Sequence, residues 1–388
     1  MINKPILVFT FPNCVGGVSS FNFNIINFST LKSQFYIKVI LIKETEDTRP
    51  EFLENFNVDE LIHFNYSTNE NKYYVAKRLN SLIGDAEGAL ITDNIITIFA
   101  ARRFASPKII FHLLHDYFYV KQHIALEKYI DNGVAHSSFF SDAVFASNPN
   151  KWSNNVFYLP YGVQKQKIDL QIKNQKCLNL VFLGRLEKSK GVHYLFEIEK
   201  ILANKNIKVN WSIIGKGNCK KALLNQWKHQ QNVQFYEPDT TTEVFQILTK
   251  QDLFIFPTSF EGTPVSILEC LSSGIVPIVN DLPGGIRDIV LDDIGFRCKL
   301  NNVAEFAEKI ILLNSDRILL SKMQFNCLNH FDSNFQIEYN ADAFFNLFAN
   351  YNYLKNSVLI TSNRIFSKLD HPFIPNIITQ FLRRIKWL

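Results

Sequence analysis

Short runs that are apolar on both faces alternate with longer stretches of helical periodicity along most of the chain. Ile6–Phe11, Tyr36–Ile42, Gly88–Thr92, Lys108–Leu114 and Ala135–Phe140 form a first series of predicted strands. Leu178–Gly184, Val209–Gly215, Val233–Tyr236, Leu253–Pro257 and Ile275–Asn280 form a second. Unbroken apolar stretches such as Ile109-Ile110-Phe111 and Leu253-Phe254-Ile255-Phe256 fit strands covered by helices on both faces of a parallel sheet. Strand–helix alternation repeated twice predicts an α/β protein built from two doubly wound, Rossmann-like domains. The polar, Lys/Gln-rich stretch Tyr161–Lys176, just after Pro160, marks the boundary between them. From Asn301 onward the pattern is helical, including Val303–Asn314 and Phe335–Leu354, and no internal repeat or low-complexity tract interrupts it.

Composition agrees with this plan and narrows the function. A chain of 388 residues holds two domains at roughly 100–200 residues each. Hydrophobic residues make up 47% and charged residues 20%, a globular balance and not a disordered one. The 41 basic and 36 acidic residues are evenly spread, so no nucleic-acid partner is expected. The 35 phenylalanines fall mostly at core-like spacings and signal packing, not base stacking. Cys14, Cys177, Cys219, Cys270, Cys298 and Cys327 lie far apart with no CxxC pair. That predicts neither a disulfide framework nor a zinc ribbon, and favours a reduced, cytoplasmic setting. Ile6-Leu7-Val8-Phe9 is too short for a signal core, and no apolar run approaches the roughly 20 residues that span a bilayer. A secreted or integral membrane protein is not expected.

The segment Phe256–Asp288 carries the most chemistry. A strand ends at Pro257, a polar loop follows, and a helix is expected to begin near Pro264, since proline is preorganised for a first helical turn. The free amides of that helix start would point out of the carboxyl edge of the sheet, where ligands, anions above all, bind in open α/β folds. Glu261 precedes the helix and Glu269 lies within it. A helix running through both would separate them by about 12 Å, too far for a retaining glycosidase pair at about 5 Å. Two carboxylates accepting hydroxyl hydrogen bonds from different parts of one long ligand are one reading. A solvated loop charge and an ordinary surface helix charge are the other.

Further groups fall at the same kind of edge. Arg185 and Lys190 lie in Gly184-Arg185-Leu186-Glu187-Lys188-Ser189-Lys190-Gly191, directly after the first strand of the second series. An Arg fork and a Lys point charge suit a diphosphate; plain surface cations are the alternative. Gly16 and Gly17 follow the first strand of the chain and either admit a phosphate close to the backbone or form a simple turn. His115-Asp116 ends a buried strand, and the imidazole serves either a substrate hydroxyl or the packing. Gly215-Lys216-Gly217 opens a helix, but Lys220 stands where a dinucleotide fingerprint needs its third glycine, so a nicotinamide site is not expected. No Gly-Lys-Ser/Thr occurs, and the His and Cys spacings offer no metal site.

Taken together, Gly16-Gly17, His115-Asp116, Gly184-Arg185…Lys190-Gly191, Gly215-x-Gly217, Glu261-x7-Glu269 and Gly284-Gly285 resemble glycosyltransferase family 4, from Pro5 to about Asn350. The resemblance implies the GT-B fold, two Rossmann-like domains facing a cleft. The first, acceptor-binding, would span residues 1–165, the sugar-nucleotide domain 166–355, and a helical tail 356–388 would cross back to the first. It implies metal-independent, retaining transfer of a sugar from a UDP- or GDP-sugar to a hydroxyl acceptor, with no further cofactor. Arg185 and Lys190 would neutralise the diphosphate, and Glu261 with Gly262, Thr263 and Pro264 would line the sugar and phosphate. Glu269 would hold the ribose, His115 would touch the donor sugar, and Gly16, Gly17, Gly184 and Gly215 would leave room for the donor. Glu237-Pro238 and Arg287-Asp288 stand where relatives commonly have a glycine and Pro-Glu. Bacterial polysaccharide or lipopolysaccharide assembly, with a saccharide or lipid-linked acceptor, is the implied setting. A sugar-nucleotide 2-epimerase or a silent, sugar-nucleotide-binding partner subunit are the alternatives. From Phe373 to Leu388, apolar residues interleave with Arg383, Arg384 and Lys386. That segment is a basic amphipathic helix on the inner membrane surface, a final helix packed on the first domain, or both at once.

Overall fold

A computed structural model describes residues 4–53, 55–165, 177–351, 358–360 and 366–385. The chain divides into two compact units, one formed by Met1–Pro160 with Ile337–Leu388 and the other by Tyr161–Gln336. The sequence reading returns the chain to the first unit at residue 356; the structure does so at Ile337. Of the expected boundary stretch, Tyr161 and Val163 are buried and Val163 bridges to Gln336, while residues 166–176 lie outside the described residues.

In the first unit the elements run β1 (Ile6–Pro12), α1 (Gly17–Phe28), β2 (Tyr36–Glu44), β3 (Glu60–Tyr66), α2 (Lys72–Ile83), β4 (Ala89–Thr92), α3 (Ile95–Arg103), β5 (Ile109–Leu114), α4 (Tyr117–Ala125), β6 (Asn132–Ala135), α5 (Ser138–Ser147), α6 (Pro149–Trp152) and β7 (Val156–Tyr158). The seven strands form a parallel sheet in the order β3-β2-β1-β4-β5-β6-β7. All residues of β4 and β5 are buried, as their largely apolar sequences, interrupted only by Thr92 and His112, require. The expected strand Ala135–Phe140 is corrected. The strand is Asn132–Ala135, and Phe139 and Phe140 belong to α5, where Phe139 is exposed and Phe140 shares a buried face with Ser141 and Val144. That spacing is helical.

In the second unit β8 (Leu178–Leu183), α7 (Tyr194–Asn204), β9 (Val209–Ile214), α8 (Lys220–Gln226), β10 (Val233–Tyr236), α9 (Thr241–Leu248), β11 (Leu253–Phe256), α10 (Val265–Ser272), β12 (Val276–Asn280), α11 (Gly285–Ile289) and β13 (Phe296–Cys298) precede α12 (Val303–Ser315) and α13 (Arg317–Asn334). The six strands pair in parallel in the order β10-β9-β8-β11-β12-β13. The order reverses between β8 and β11, so the loops leaving these two strands flank the switch point where such sheets bind ligands. In the first unit the reversal falls between β1 and β4.

Two later helices belong to the first unit. α14 (Ile337–Ala349) lays Phe344, Phe345 and Phe348 against Phe9, Phe21, Phe35 and Phe111, with ring centroids 5.1–6.3 Å apart. Asp342 accepts hydrogen bonds from the Ser29 and Thr30 hydroxyls at 2.7 and 2.6 Å. This aromatic packing is the reason the chain leaves the second unit at Ile337. The last helix, α15 (Asn376–Ile385), is also part of this unit, and residues 386–388 lie outside the described residues.

Candidate functional site

The strongest juxtaposition joins the loops after β8 and β11. Lys190 closes a short 3-10 turn, Lys188–Lys190, and its Nζ lies 2.5 Å from Oε1 of Glu261. Both side chains are mostly covered, 15% and 10% exposed, so this is not the loose surface pair that contributes little. The buried Thr258 hydroxyl donates to the same Glu261 oxygen at 3.0 Å. Asn280, buried at the end of β12, donates from Nδ2 to the Thr258 carbonyl at 2.8 Å. Thr258 and Asn280 thus fix the carboxylate. The sequence reading passed over both, although a polar residue ending a wholly apolar strand was the available signal.

Gly191 lets the Lys190 turn close. Its φ of +71° is left-handed, and a Cβ there would stand 1.9 Å from the Pro257 carbonyl oxygen. Gly191→Ala must therefore push the two loops apart. It should cost at least about 1–2 kcal/mol, from the left-handed backbone alone, in urea unfolding, and turnover should fall with it. Unchanged stability would show that the turn can relax. Gly215 is required for a similar reason, since a Cβ there would meet the Gly184 carbonyl oxygen at 1.9 Å. Gly184 takes part through its carbonyl alone, since a Cβ there would meet only ring carbons of Phe182 and Phe256 at 3.6–3.8 Å.

Arg185 is not brought to this pair. Its side chain is 68% exposed and its Nη1 donates to Glu187 at 2.9 Å. Among the described residues no contact joins it to Lys190 or Glu261.

Helix α10 starts at Val265, next to the expected Pro264, which is its N-cap with ψ 107°. The extended backbone at Pro264 lets the loop carrying Glu261 turn away from the helix axis, so the two glutamates do not share one helix. No side chain caps α10, which leaves its first amides to solvent or to an anion. Gly262 and Thr263 form the loop before it, and the Gly262 carbonyl accepts from Gly285 N at 3.0 Å. Glu269 is half-buried in α10. Burial alone pushes its carboxyl up to about 7, and among the described residues no hydrogen bond or ion pair reaches it.

At the carboxyl edge of the first sheet, Asp116 caps α4 by accepting from Phe118 N at 2.7 Å. His115 stands against the rings of Phe21, Tyr119 and His136, 5.0–5.3 Å away. Its Nε2 is buried without a partner, and burial, then the neighbouring His136 and His112, hold its pKa well below the ordinary value. It is a neutral imidazole at neutral pH. Asp93, directly after β4, is a second group the sequence reading missed. It is buried, accepts from the Tyr119 hydroxyl, and desolvation pushes its carboxyl up to about 7. Gly16 caps α1 and Gly17 begins it; a Cβ at either would meet nothing within 4 Å. Space lies open above them, but nothing in this chain demands glycine there.

Comparison with known proteins adds to this geometry. Residues 164–327 match the family model "Glycosyl transferases group 1". An Escherichia coli UDP-Gal:alpha-D-GlcNAc-diphosphoundecaprenol alpha-1,3-galactosyltransferase is 26% identical over 208 residues, 50% of this chain and 54% of the relative, so the match spans about half of that protein. A Campylobacter jejuni N,N'-diacetylbacillosaminyl-diphospho-undecaprenol alpha-1,3-N-acetylgalactosaminyltransferase is 25% identical over 279 residues, 64% of this chain and 73% of that one. The crystal structure of Anabaena HepE in complex with UDP and glucose superposes with a TM-score of 0.71 at 14% identity, covering 89% of this chain and 100% of HepE. The architecture is GT-B, two parallel-sheet Rossmann-like units. The Lys190–Glu261 pair and helix α10 both lie in the segment that carries, over residues 164–327, the glycosyl transferases group 1 pattern.

Proposed function

We propose that this chain is a retaining glycosyltransferase of family 4. It would move a sugar from a nucleoside-diphosphate donor to a hydroxyl of a saccharide or lipid-linked saccharide, in bacterial surface polysaccharide or lipopolysaccharide assembly. The observation that carries the proposal is the covered Lys190–Glu261 pair at the sheet switch point, 2.5 Å apart and fixed by Thr258. The acceptor class is drawn from the relatives, whose names specify diphosphoundecaprenol-linked sugars. Such an acceptor would hold the chain, as a cytoplasmic protein, at the inner face of the membrane.

In this reading the bond from the anomeric carbon to the diphosphate breaks as the bond to the acceptor oxygen forms on the same face. A phosphate oxygen takes the acceptor proton. The leaving group gains negative charge, and preorganised charge at that point is the largest contribution an enzyme of this kind can make. Lys190 and the uncapped α10 amides supply it. Arg185 can join them at small cost, because its exposed pair with Glu187 contributes at most about 1 kcal/mol. Two cations thereby take the role that a divalent metal fills in other transferases. Glu261 lies beside the donor sugar, with Gly262, Thr263 and Pro264 lining the sugar and phosphate. Glu269 accepts from the ribose; in the first unit, Gly16 and Gly17 have open space above them and the neutral His115 is the group for a sugar hydroxyl.

A mass-spectrometric screen of UDP- and GDP-sugars, each with and without EDTA, tests this reading. Release of free nucleoside diphosphate is expected in both conditions, with the anomeric configuration kept in any glycoside formed. Conversion of the donor to an epimer would indicate an epimerase, and consumption of no donor at all would overturn the proposal.

A further inference from the structure

The last helix of the first unit is amphipathic with its faces exchanged. A helix on a protein surface ordinarily turns its apolar stripe inward. In α15 the inward face is polar: Asn376, Thr379 and Arg383, spaced i, i+3, i+7, point to the protein. The Asn376 Oδ1 accepts from Asn71 N at 2.7 Å, and the Thr379 hydroxyl, wholly buried, donates to the Leu369 carbonyl at 3.1 Å. Arg383 holds both oxygens of the buried Asp370 at 2.8 and 2.7 Å and also donates to the Glu70 carbonyl. Asp370 in turn accepts from Lys72 N at 2.6 Å. The outward face is apolar: Ile377, Ile378, Phe381, Leu382 and Ile385 are 41–75% exposed, and Phe373, just before the helix, is 87% exposed. At 3.6 residues per turn those five helical positions fall within an arc of about 140° opposite the clamp.

We propose that this face is a preset docking surface for an anionic phospholipid bilayer. Five large apolar side chains side by side on one exposed helix face suit insertion among lipid chains. Charge complementarity names the lipid. Lys368 and Arg384 are exposed, and the sole carboxylate between residues 366 and 385, Asp370, is buried and neutralised by Arg383. Glu70, beside the clamp, is paired with Arg78 at 2.7 Å. A helix lying in a membrane interface combines such an apolar face with basic flanks. The polar clamp orders α15 before any lipid is met, so binding carries no cost of folding the helix. The proposed glycosyl transfer bears only on which membrane leaflet is used; the docking itself does not depend on it.

Flotation of the full chain with phosphatidylcholine vesicles, with and without phosphatidylglycerol, tests the proposal. Strong flotation is expected with the anionic vesicles, weaker with the neutral ones, and less of both at high salt. Ile377→Ser with Phe381→Ser should lower partitioning at least about 100-fold, and Arg384→Gln about fivefold. The melting temperature and the consumption of a water-soluble sugar nucleotide should stay unchanged in both. Wild-type protein that stays soluble with both vesicles, or a double variant that still floats, would overturn the assignment. So would equal flotation with neutral and anionic vesicles, or wild-type dimers that the double variant loses, which would give the face to a second copy. Lost flotation with turnover intact removes the docking surface alone; lost turnover with flotation intact removes the catalytic reading alone.

Discussion

Replacing Lys190 with alanine is expected to lower turnover of the sugar nucleotide by about 100–1,000-fold, the usual effect of removing one preorganised charge contact. The effect should exceed that of an ordinary surface lysine because Lys190 is covered, lies 2.5 Å from Glu261 and rests near the Phe256 ring. The substitution both removes a cation from the leaving group and leaves the Glu261 carboxylate facing it uncompensated. Lys190→Met combined with Glu261→Gln separates these effects. If the pair is only structural, the double variant should recover stability and turnover together, since a buried pair can often be replaced without loss. If Lys190 meets the diphosphate, stability returns while turnover stays well below that of Glu261→Gln alone. Arg185→Ala should also slow the reaction, with a smaller stability change, because its guanidinium is already in solvent. Near-native turnover in both single variants would refute the diphosphate assignment.

The fold was legible because the sheets are parallel and buried. Leu253–Phe256 is apolar at every position and Ile109–Leu114 at every position but His112, and both are buried throughout, a pattern few other structures produce. The strands that escaped reading lack it. Glu60–Tyr66 is an edge strand with exposed positions alternating along it, and Val156–Tyr158 and Phe296–Cys298 have three residues each. The site was legible only as residue types on loops after strands. Sequence spacing suggested Glu261 and Glu269 as a pair, yet Glu261 is held by Lys190 and Thr258 while Glu269 stands alone in α10. Partners 71 residues apart, as Lys190 and Glu261 are, leave no local trace. The exchange of faces in α15 was likewise invisible, because periodicity shows that a stripe exists and not which side the protein takes.

Glu269 carries the prediction in which pH decides the outcome. Burial without a hydrogen-bond donor pushes its carboxyl from the ordinary 4.5 up to about 7, so near neutrality it is about half protonated. Ribose hydroxyls donating to the carboxylate would favour its charged form, and nucleotide binding should therefore strengthen as pH rises through about 7. Between about pH 6 and pH 8 the dissociation constant for a nucleoside diphosphate is expected to fall about tenfold more in the wild type than in Glu269→Gln, one pH unit of linkage being about 1.4 kcal/mol. The ligand's own phosphate ionisation moves both proteins alike, so the difference belongs to residue 269. The unliganded protein should show the opposite preference. A folded-state pKa raised above the unfolded value contributes stability that is present below about pH 4.5 and is lost as pH rises through about 7. Glu269→Gln should accordingly match the wild type in acid and exceed it in urea unfolding near pH 8, by up to about 3 kcal/mol. A variant less stable at pH 8 would mean that the charge is already satisfied inside the protein. Equal affinities across the range would take Glu269 away from the ribose. A residue that weakens the empty fold and strengthens the complex is what a ligand contact requires, because only the ligand then relieves the buried charge.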